Sequence, residues 1–513
     1  MNRTTQRRRL GVVVLMALAT ASALAAAAGA GNGVLAKTAV PAFTNFELAG
    51  TPPNPPGTVC PGSPACSNGA AEPAIRATPD GKFFGASENG LGGGTLAWAS
   101  TDGGNHYYSS PSPNDVSAAS TSTGNEAGLE PGGGDTDVAA ATAKNALGNY
   151  NAYVVSLTLA NIDVSTSTDN GKTYTLNPVT SLPIDDRPWT AATGASKVCV
   201  SYLTAPGILL PQAGLHVQCS LDAGKTFPQI ANAYDTSPVG LGASNSSRTG
   251  NLAFDPSNPS YLYQIFAYAP VADASDPNAL LHAVGIAVSA DGGLTWHDYN
   301  IYVNPNADTR HYDNQFPNVT VDKAGNVYAF YSDDRNTYYS YSTDHGQTWH
   351  GPIQVNPSGE TAIFPWATAG DAGKVDVVYY KTPWVSADQA NPTPAESAPP
   401  SAAWTVGFAQ NLTAVTSGSK FSETTASPTV HFGSVCQGGA ACTGNRDLYD
   451  DFGVAASPTT GLASIIYSDD QYTNDSSSPP RAGCTAAQSN SPSCDHTSIA
   501  TQTAGPTIFG KKK

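Results

Sequence analysis

Few side chains in this chain can take part in ionic or acid–base chemistry, because Asp, Glu, Lys and Arg make up only 12% of its 513 residues. A planar guanidinium group binds a carboxylate through two parallel hydrogen bonds, so converging arginines can hold an anionic ligand. Carboxyl groups can in turn donate and accept protons. After residue 28 the chain has seven arginines, which are Arg76, Arg187, Arg248, Arg310, Arg335, Arg446 and Arg481.

Several charged residues stand just before segments that we predict to be strands. Arg187 in DDRPW and Arg446 in GNRDLYDD precede two such segments, and Glu72 precedes a third. Asp135 follows three glycines, which would let the backbone approach a ligand closely, although an ordinary loop accounts for the same glycines. Glu72 and Asp135 are therefore candidates for proton transfer. Glu130 also precedes a predicted first strand, and Asp80 and Asp186 are further candidates for the acid.

A short pattern, Ser-x-Asp-x-Gly-x-x-aromatic, recurs five times and indicates how these residues are positioned. Its Asp can accept hydrogen bonds from backbone N–H groups of a tight turn, and its Gly can adopt the positive φ that closes the turn. The aromatic residue can start the next strand and bury apolar area beneath the turn. Five such turns predict a repeat architecture, with a structural role for Asp102, Asp169, Asp222, Asp291 and Asp344.

The clearest repeat unit covers residues 316–356 and divides into four short segments. We predict strands at Asn318–Val321, Asn326–Tyr331, Tyr338–Ser342 and Pro352–Val355, because these segments are rich in β-branched and aromatic residues and are separated by Gly or Asp turns. Four antiparallel strands of this length form one blade of a β-propeller.

Six further segments match this template, four of them with the Asp turn and two without it. They are Glu72–Ser110, Asp135–Leu176, Asp186–Phe227 and Arg248–Tyr302 with the turn, and Phe364–Leu412 and Asp450–Thr501 without it. The sequence therefore predicts an all-β fold, a β-propeller of either six or seven four-stranded antiparallel blades.

The N-terminal residues have the composition of a secretory signal peptide. Arginines at positions 3 and 7–9 precede the apolar run from Leu10 to Ala19, and a stretch of small residues follows. A retained membrane anchor is the alternative, although the apolar run is short for a span. We expect a secreted or cell-surface protein without a membrane span in the mature chain. The predicted segments are a signal peptide (1–28), a Pro- and Gly-rich segment (29–71), the propeller (72–505, with insertions at about 384–401 and 473–497) and a tail (506–513).

Eight cysteines occur as four close pairs, which predicts four disulfides and an oxidising compartment. Proximity in the sequence is the basis for this pairing. Zinc binding is the alternative, but the chain has neither a Cys-x-x-Cys motif nor a cluster of histidine ligands near the cysteines. The predicted pairs are Cys60–Cys66, Cys199–Cys219, Cys436–Cys442 and Cys484–Cys494.

Composition argues against several functional classes. The formal net charge of −16 disfavours nucleic acid as a partner, since phosphate binding needs clustered Lys and Arg. The chain has neither the Gly-x-Ser-x-Gly motif of serine hydrolases nor the His-Glu-x-x-His motif of zinc proteases. We expect no cofactor, with one alternative: acidic doublets could hold structural calcium, although strand-end solvation explains them equally. The doublets are Asp185–Asp186, Asp333–Asp334, Asp450–Asp451 and Asp469–Asp470.

The repeated turn resembles the Asp box, or BNR repeat, of sialidase-like β-propellers. The phrases GGGDTDVA, DRPWTA, FPWATAGDAGKVDVVYY and DDFGVA are similar to those of exported bacterial Asp-box proteins, over about Glu72 to Asp470. The resemblance implies a propeller whose boxes lie away from the active site. It also points to a glycoside hydrolase of the exo-α-sialidase kind.

Sialidases hold the carboxylate of their substrate with three arginines, and the resemblance assigns substrate binding to Arg76, Arg187 and Arg446. The first arginine of that family lies in an Arg-Ile-Pro tripeptide, which this chain lacks. Arg76 in AIRATPDG is the nearest match.

The nucleophile of sialidases is an ionised Tyr beside a Glu, with an Asp as acid and base. By resemblance we assign these roles to Tyr467 in IIYSDD, Glu72 and Asp135. The same string recurs at Tyr331 in FYSDD, so it is also explained as the way in which the second strand of each unit ends.

Three functional hypotheses follow. An exported sialidase-like glycoside hydrolase acting on extracellular glycans or glycoproteins predicts converging arginines beside a Tyr–Glu pair. A non-catalytic propeller that binds glycan or protein at the cell surface predicts aromatic and amide side chains at the channel mouth. A scaffold without a small ligand predicts a plugged, apolar channel.

Overall fold

The computed structural model describes residues 40–48, 69–115, 132–158, 161–179, 185–204, 214–234, 248–270, 280–306, 309–313, 316–439, 442–471 and 494–510. Contacts divide the chain into two units, and the larger, Ala42–Thr503 with Thr507–Lys513, contains the blades. Of the smaller unit, Met1–Pro41 with Ala504–Pro506, only residues 40–41 and 504–506 are described. The predicted signal peptide lies outside these ranges.

The first three blades each use four consecutive strands, with the first strand innermost and the fourth outermost. Blade 1 consists of β2 (Ala71–Ala77), β3 (Phe83–Glu88), β4 (Leu96–Ser100) and β5 (Tyr108–Ser109). Blade 2 consists of β6 (Thr136–Ala140), β7 (Ala152–Leu157), β8 (Ile162–Ser167) and β9 (Thr175–Pro178). Blade 3 consists of β10 (Asp185–Thr193), β11 (Lys197–Thr204), β12 (Gly214–Ser220) and β13 (Gln229–Asn232).

The next three blades follow the same order. Blade 4 consists of β14 (Arg248–Phe254), β15 (Leu262–Tyr268), β16 (Ala283–Ser289) and β17 (His297–Val303). Blade 5 consists of β18 (Asn318–Val321), β19 (Val327–Ser332), β20 (Thr337–Ser342) and β21 (His350–Gln354). Blade 6 consists of β22 (Thr361–Ala369), β23 (Val375–Thr382), β24 (Ala403–Asn411) and β25 (Ser422–Phe432).

Blade 7 joins the two ends of the chain. Its inner three strands are β26 (Gly453–Ala456), β27 (Ala463–Asp469) and β28 (His496–Ala504), and its outermost strand is β1 (Ala42–Glu47). The inner strands of the seven blades contact one another in order, and β26 returns to contact β2. The structure is therefore a seven-bladed β-propeller, which confirms the predicted fold class and decides between six and seven blades.

β1 lies inside the segment 29–71 that the sequence suggested to be a Pro- and Gly-rich N-terminal piece. In its sequence AFTNFE, only the rings of Phe43 and Phe46 pack against the hydrophobic core, and both are partly buried. The strand is therefore not marked by a long apolar run. Asn45 connects two blades, because its side chain donates to the carbonyl of Ala426 at 3.0 Å and accepts from the hydroxyl of Tyr467 at 2.8 Å.

The second and third strands of the blades are buried on both faces, because neighbouring blades pack against each other. Every residue of β15, β16, β19 and β27 is buried. Strands enclosed in this way read as continuous apolar runs and do not alternate, as in YLYQIFAYAP of blade 4. Each fully buried large aliphatic or aromatic side chain contributes about 1.5–3 kcal/mol, so blade-to-blade packing stabilises the ring.

The five Asp turns connect the third strand to the fourth in blades 1 to 5. Asp291 accepts hydrogen bonds from the hydroxyl of Ser289 (2.7 Å), the N–H of Leu294 (3.0 Å) and both the N–H (2.9 Å) and hydroxyl (2.6 Å) of Thr295. Blades 2, 3 and 5 repeat the arrangement. In blade 1, the ring nitrogen of His106 replaces the Thr hydroxyl, 2.6 Å from Asp102.

Two predicted disulfides are confirmed, Cys199–Cys219 between neighbouring strands of blade 3 and Cys436–Cys442 beyond β25. Cys494 is also disulfide-bonded, while its predicted partner Cys484 lies outside the described residues, as do Cys60 and Cys66.

The predicted insertion at about 384–401 lies between β23 and β24 and contains a 3-10 helix, Pro394–Ser397. Its Pro394 and Ala395 are buried, and the N–H of Ala395 donates to Asp334 at 2.8 Å. Most of the second insertion, 473–497, is outside the described residues. Within the predicted tail, Ile508 is buried and its carbonyl accepts from the N–H of Asp371. No helix in the described part of the chain has the length and apolarity to cross a membrane.

Removing β1 tests the closure of the ring. A chain that begins at residue 49 loses the outer strand of blade 7 with Phe43 and Phe46, so we expect its free energy of unfolding to fall by roughly 2–4 kcal/mol. A control chain that begins at residue 40 keeps β1. Thermal denaturation should give a clearly lower midpoint for the shorter chain, and equal midpoints would contradict closure by β1.

The Asp turns should make stability sensitive to acid. Burial is the largest single effect on Asp291 and raises its pKa, but the hydrogen bonds from Thr295, Ser289 and Leu294 together outweigh it and lower the pKa to about 2. A carboxylate whose pKa is lower in the folded than in the unfolded chain stabilises above the unfolded value, about 4, and loses this effect as pH falls through the folded value. Denaturant unfolding should therefore show Asp291→Asn less stable than the native chain at pH 7, with the gap shrinking toward pH 3. A gap that is the same at both pH values would argue against this role.

Candidate functional site

Charged side chains gather at one end of the central channel, where the inner strands begin. Glu72 lies at the start of β2, Asp135 directly before β6, Arg187 at the start of β10, and Asp450 and Asp451 directly before β26. The third strand of each blade runs in the same direction as the first, so the Asp turns lie at the opposite end. We call the group formed by Glu72, Glu88, Asp135, Arg187, Arg446, Asp450 and Asp451 the channel-mouth cluster.

Beta-bulges in the inner strands position two members of the cluster. The pairing register shifts around Glu72 in β2, Arg187 in β10 and Phe364 in β22, and each of these residues precedes a proline. Their φ angles are 50°, 56° and 56°, in the left-handed region that costs a residue with a side chain about 1–3 kcal/mol. A bulge changes the direction of a side chain, and here it turns Glu72 and Arg187 toward each other.

The side chain of Arg187 is only 9% exposed and is surrounded by carboxylates from three other blades. Its Nη1 lies 3.6 Å from Glu72 and its Nε lies 3.3 Å from Asp135, while its Nη2 donates a short hydrogen bond to Asp450. The guanidinium carbon lies 4.3 Å from the ring centre of Phe316. Although burial alone would lower it, these carboxylates raise the pKa of Arg187 well above its ordinary value.

Arg446 approaches the same carboxylates from the solvent side. Its Nη2 donates to Glu72 at 2.8 Å and to Asp450 at 3.1 Å, and its side chain is 26% exposed. Glu72 and Asp450 are each 1% exposed and bridge the two arginines. Arg187 and Arg446 therefore converge, as the sequence suggested, but on carboxylates of the protein itself.

Arg76, the third arginine that the resemblance implied, lies deeper in the channel. Its Nη2 donates to the buried Asp137 at 3.0 Å, and its guanidinium carbon lies 5.3 Å from the ring centre of Trp366. Asp137 also accepts from the backbone N–H groups of Val138 and Thr190 at 2.8 and 2.9 Å. The structure therefore brings two of the three arginines into the channel-mouth cluster.

Aromatic side chains close the channel beneath the cluster. Trp189 lies 5.2 Å from Phe316 and 5.4 Å from Trp366, measured between ring centres, and all three are about 3% exposed. On the far side of this plug, a cavity of about 260 Å³ is lined by the last residues of the inner strands, among them Ala140, Ala192 and Ala456. The channel is thus divided into an ionic mouth and a separate cavity on the Asp-turn side.

Burial changes the proton affinity of the cluster. It raises the pKa of Asp135 to about 7, with Glu88 adding repulsion and Arg187 opposing the shift. Burial, together with repulsion from Glu88 and Asp450, raises the pKa of Glu72 well above its usual range. Burial also raises the pKa values of Glu88 and Asp451. The mouth therefore holds a carboxyl group, Asp135, that keeps its proton in part of the molecules near neutral pH.

The three glycines before Asp135 have a packing role in the structure. A Cβ atom added at Gly133, whose φ is 115°, would lie 2.4 Å from the carbonyl oxygen of Gly90. One added at Gly132 would lie 2.2 Å from the side-chain nitrogen of Asn114. The glycines let this loop press against its neighbours and fix the position of Asp135, whose side chain is 18% exposed.

The structure does not bring Tyr467, the nucleophile implied by the resemblance, to the cluster. Tyr467 lies in the middle of β27, is fully buried, and donates its hydroxyl to Asn45 at 2.8 Å. The following residue, Ser468, is on the other face and accepts from the N–H of Glu72 at 3.2 Å. Successive side chains of a strand point to opposite faces, so Tyr467 points away from the face on which Ser468 meets Glu72.

Two groups of ligand-type atoms lie within 4.8 Å of one another in the described residues, and each could hold a metal ion by distance. The first, Glu72, Glu88 and Asp135, belongs to the channel-mouth cluster, where the Arg187 guanidinium already supplies positive charge. The second is formed by His431, Asp447 and Asp470, and all three are buried.

Sequence reasoning missed Glu88, Asp450 and Asp451 as members of the cluster. The sequence carries a signal for the bulges, because Glu72, Arg187 and Phe364 each stand before a proline at the same position of an inner strand, but this signal does not mark Glu88, Asp450 or Asp451. A proline there cannot donate to the ladder, which marks a bulge and a redirected side chain.

No family model and no curated protein matches the chain. Solved structures similar to it include the alpha-L-arabinofuranosidase from Fusarium graminearum, with a TM-score of 0.43 at 16% identity, covering 66% of this chain and 92% of that one. The alpha-L-arabinanase from Penicillium chrysogenum gives 0.42 at 11% identity, covering 90% and 98%. A Hadza microbial sialidase gives 0.38 at 14% identity, covering 61% and 63%. Because these sequence identities are low, the chemistry of the site must be argued from its own side chains.

Replacing Arg187 tests the electrostatic account of the cluster. Arg187→Met leaves buried carboxylates without their counter-charge, and we expect a loss of about 3–5 kcal/mol in the free energy of unfolding at pH 7.5. A carboxyl group whose pKa is higher in the folded than in the unfolded chain stabilises the protein fully below its pKa in the unfolded chain, about 4. This stabilisation is lost as the pH rises through the pKa in the folded chain, which is about 7 for Asp135. The variant's deficit should therefore shrink between pH 7.5 and pH 5.

Arg310→Met is the matched control, because among the described residues Arg310 pairs with one carboxylate, Asp333 at 3.4 Å, which is not a member of the channel-mouth cluster. Denaturant unfolding of both variants at the two pH values gives the comparison. A deficit in Arg187→Met that equals the control, or that does not change with pH, would contradict the account.

Proposed function

We propose that the protein is a glycoside hydrolase whose site is the channel-mouth cluster and which acts on extracellular glycans. The observation that supports this most is Asp135, a carboxyl group 18% exposed at the mouth with its pKa raised by burial to about 7. Glycosidases need one carboxyl group that is protonated at neutral pH and a second one beside it.

Asp135 is the proposed proton donor to the departing sugar oxygen. Its Oδ2 lies 3.3 Å from Nε of Arg187, which fixes the orientation of the carboxyl group. Because its pKa is near 7, the group is protonated in a useful fraction of molecules and still gives up its proton readily.

Glu88 is the proposed second carboxylate. Its side chain is half-buried, and Glu72, Glu88 and Asp135 each have an oxygen within 4.8 Å of the other two. Carboxyl groups of a retaining glycosidase lie about 5–5.5 Å apart, whereas inverting enzymes leave about 6.5–9.5 Å for a water molecule. The short spacing favours retention of configuration. In the first step the ionised carboxylate of Glu88 attacks the anomeric carbon while the glycosidic C–O bond breaks and Asp135 protonates the departing oxygen. In the second step Asp135 takes a proton from a water molecule, which attacks the anomeric carbon and releases Glu88. Glu72, which is 1% exposed, holds Arg187 and Arg446 in place.

The finer prediction, an exo-α-sialidase, requires arginines that are free to bind a substrate carboxylate. In this cluster Arg187 and Arg446 contact Glu72 and Asp450, and Asp135 pairs with Arg187. Glu88 and Asp451 also interact electrostatically with Arg187, so the cluster holds five carboxyl groups and two guanidinium groups. A further anion would meet repulsion from the surplus of acidic groups. We therefore propose an uncharged glycan as the substrate class. The two disulfides suit an oxidising, extracellular setting.

Hydrolysis of a panel of aryl glycosides by the purified chain tests the proposal. The panel includes uncharged arylpyranosides and arylfuranosides together with an aryl α-sialoside. We expect turnover of an uncharged member, with a rate that declines as pH rises through about 7 because Asp135 must be protonated. Asp135→Asn should lower kcat by about 10²–10⁴-fold.

The matched control is Asp371→Asn, which removes a partly exposed carboxylate from a turn at the other end of the propeller. Control activity should equal that of the native chain. Turnover of the sialoside alone would contradict the proposal of an uncharged substrate and favour the sialidase hypothesis. Glycan binding without turnover of any member would favour the non-catalytic propeller.

A further inference from the structure

A second polar group is buried between blades 6 and 7, apart from the channel-mouth cluster. It brings together His431 from the end of β25, Asp447 from the loop before β26, Asp470 just after β27 and Asp495 just before β28. None of the four is more than 1% exposed. Four ionisable side chains from four separate segments therefore meet in a site that is closed to water.

His431 presents one ring nitrogen to the acidic residues and anchors the other. Its Nε2 lies 3.0 Å from the carbonyl oxygen of Ser434, so this nitrogen carries the hydrogen and donates it. Its Nδ1 lies 2.7 Å from Asp470 and 4.0 Å from Asp447. Histidines that bind metals commonly donate their second N–H to a carbonyl in this way, which orients the ligand nitrogen.

The buried carboxylate of Asp447 is a second, independent feature that points to a bound ion. Both of its carboxylate oxygens are buried, and no described N–H or hydroxyl donor reaches either of them by hydrogen-bond geometry. The neighbouring Asp495 carries a charge that repels that of Asp447. Its Oδ2 accepts from the Tyr449 hydroxyl at 2.9 Å, but its Oδ1 likewise accepts no hydrogen bond from a described residue. A buried carboxylate with no donor is unstable unless a cation or a proton is supplied.

We propose that His431, Asp447 and Asp470, with Asp495 beside them, bind one divalent cation. Ligand atoms of the first three lie within 4.8 Å of one another, the range spanned by ligands about 2.0–2.6 Å from a shared ion. One imidazole with two or three carboxylates suits Zn²⁺ or Mn²⁺ better than Ca²⁺, which takes six to eight oxygen ligands.

The cation would fix the loop that connects blade 6 to blade 7. Residues 443–452 carry Asp447 together with Arg446, Asp450 and Asp451 of the channel-mouth cluster. Asn445 and Tyr449 in this loop have φ values of 57° and 55°, a conformation that surrounding contacts must hold in place. An ion bound at Asp447 supplies such a contact in the middle of the loop.

Metal content of the purified full chain tests the proposal without any glycan substrate, so its outcome is independent of the proposed hydrolase activity. The chain is dialysed against an equimolar mixture of Zn²⁺, Mn²⁺ and Ca²⁺, freed of loose ions and analysed by mass spectrometry. We expect about one equivalent of Zn²⁺ or Mn²⁺, and calorimetric titration of the chelator-treated chain should give the same stoichiometry. Asp447→Asn and His431→Gln should each weaken affinity by more than about tenfold.

The control variant is Asp371→Asn, a surface carboxylate that should leave binding unchanged. Thermal denaturation covers the case in which a variant folds poorly, because an ion that binds only the folded chain raises the midpoint of the native protein. A native chain that holds no more of any ion than Asp447→Asn, and whose midpoint no ion moves, would overturn the proposal. That result would leave a proton shared between Asp447 and Asp495 as the stabilising element.

Discussion

The burial of one arginine among carboxylates determines how the channel mouth is built. Arg187 comes from blade 3, and its partners Glu72, Asp135 and Asp450 come from blade 1, the start of blade 2 and the start of blade 7. A charge removed from water is costly unless it is paired, so each partner must be held in place for the group to be stable. Four of the seven blades are therefore fixed relative to one another by a single guanidinium group.

The same requirement explains the strained backbone at the inner strands. In a regular strand, the side chains of Glu72 and Arg187 would point to one or the other face of the sheet. The bulges at these residues turn the two side chains toward each other instead. The left-handed φ values that result are maintained because the ion pairs and the aromatic plug of Trp189, Phe316 and Trp366 hold the surrounding chain. Strain, burial and charge are thus concentrated where the channel meets solvent.

The repeating part of the structure could be predicted from local sequence, and the site only partly. Turn chemistry marks the third-to-fourth strand connection of blades 1 to 5, and the strands of blade 5 lie within a few residues of their predicted bounds. β1 was missed because its burial depends on a partner more than 400 residues away. Arg187 and Arg446 were found because they come before segments predicted to be first strands, whereas Glu88 lies at the end of a second strand. The partners of each charge are long-range contacts, which no local pattern encodes.

The place of β1 in blade 7 has a consequence for the order in which the protein folds. The hydroxyl of Tyr467 and the side chain of Asn45 meet across 422 positions of the chain, and joining segments so far apart costs on the order of 5 kcal/mol in chain entropy. β1 is made before the strands of its blade and has no place to pair until β26 to β28 exist. Blades 1 to 6 can assemble from neighbouring strands as they are made, while blade 7, and with it the ring, is completed only once β28 has been made.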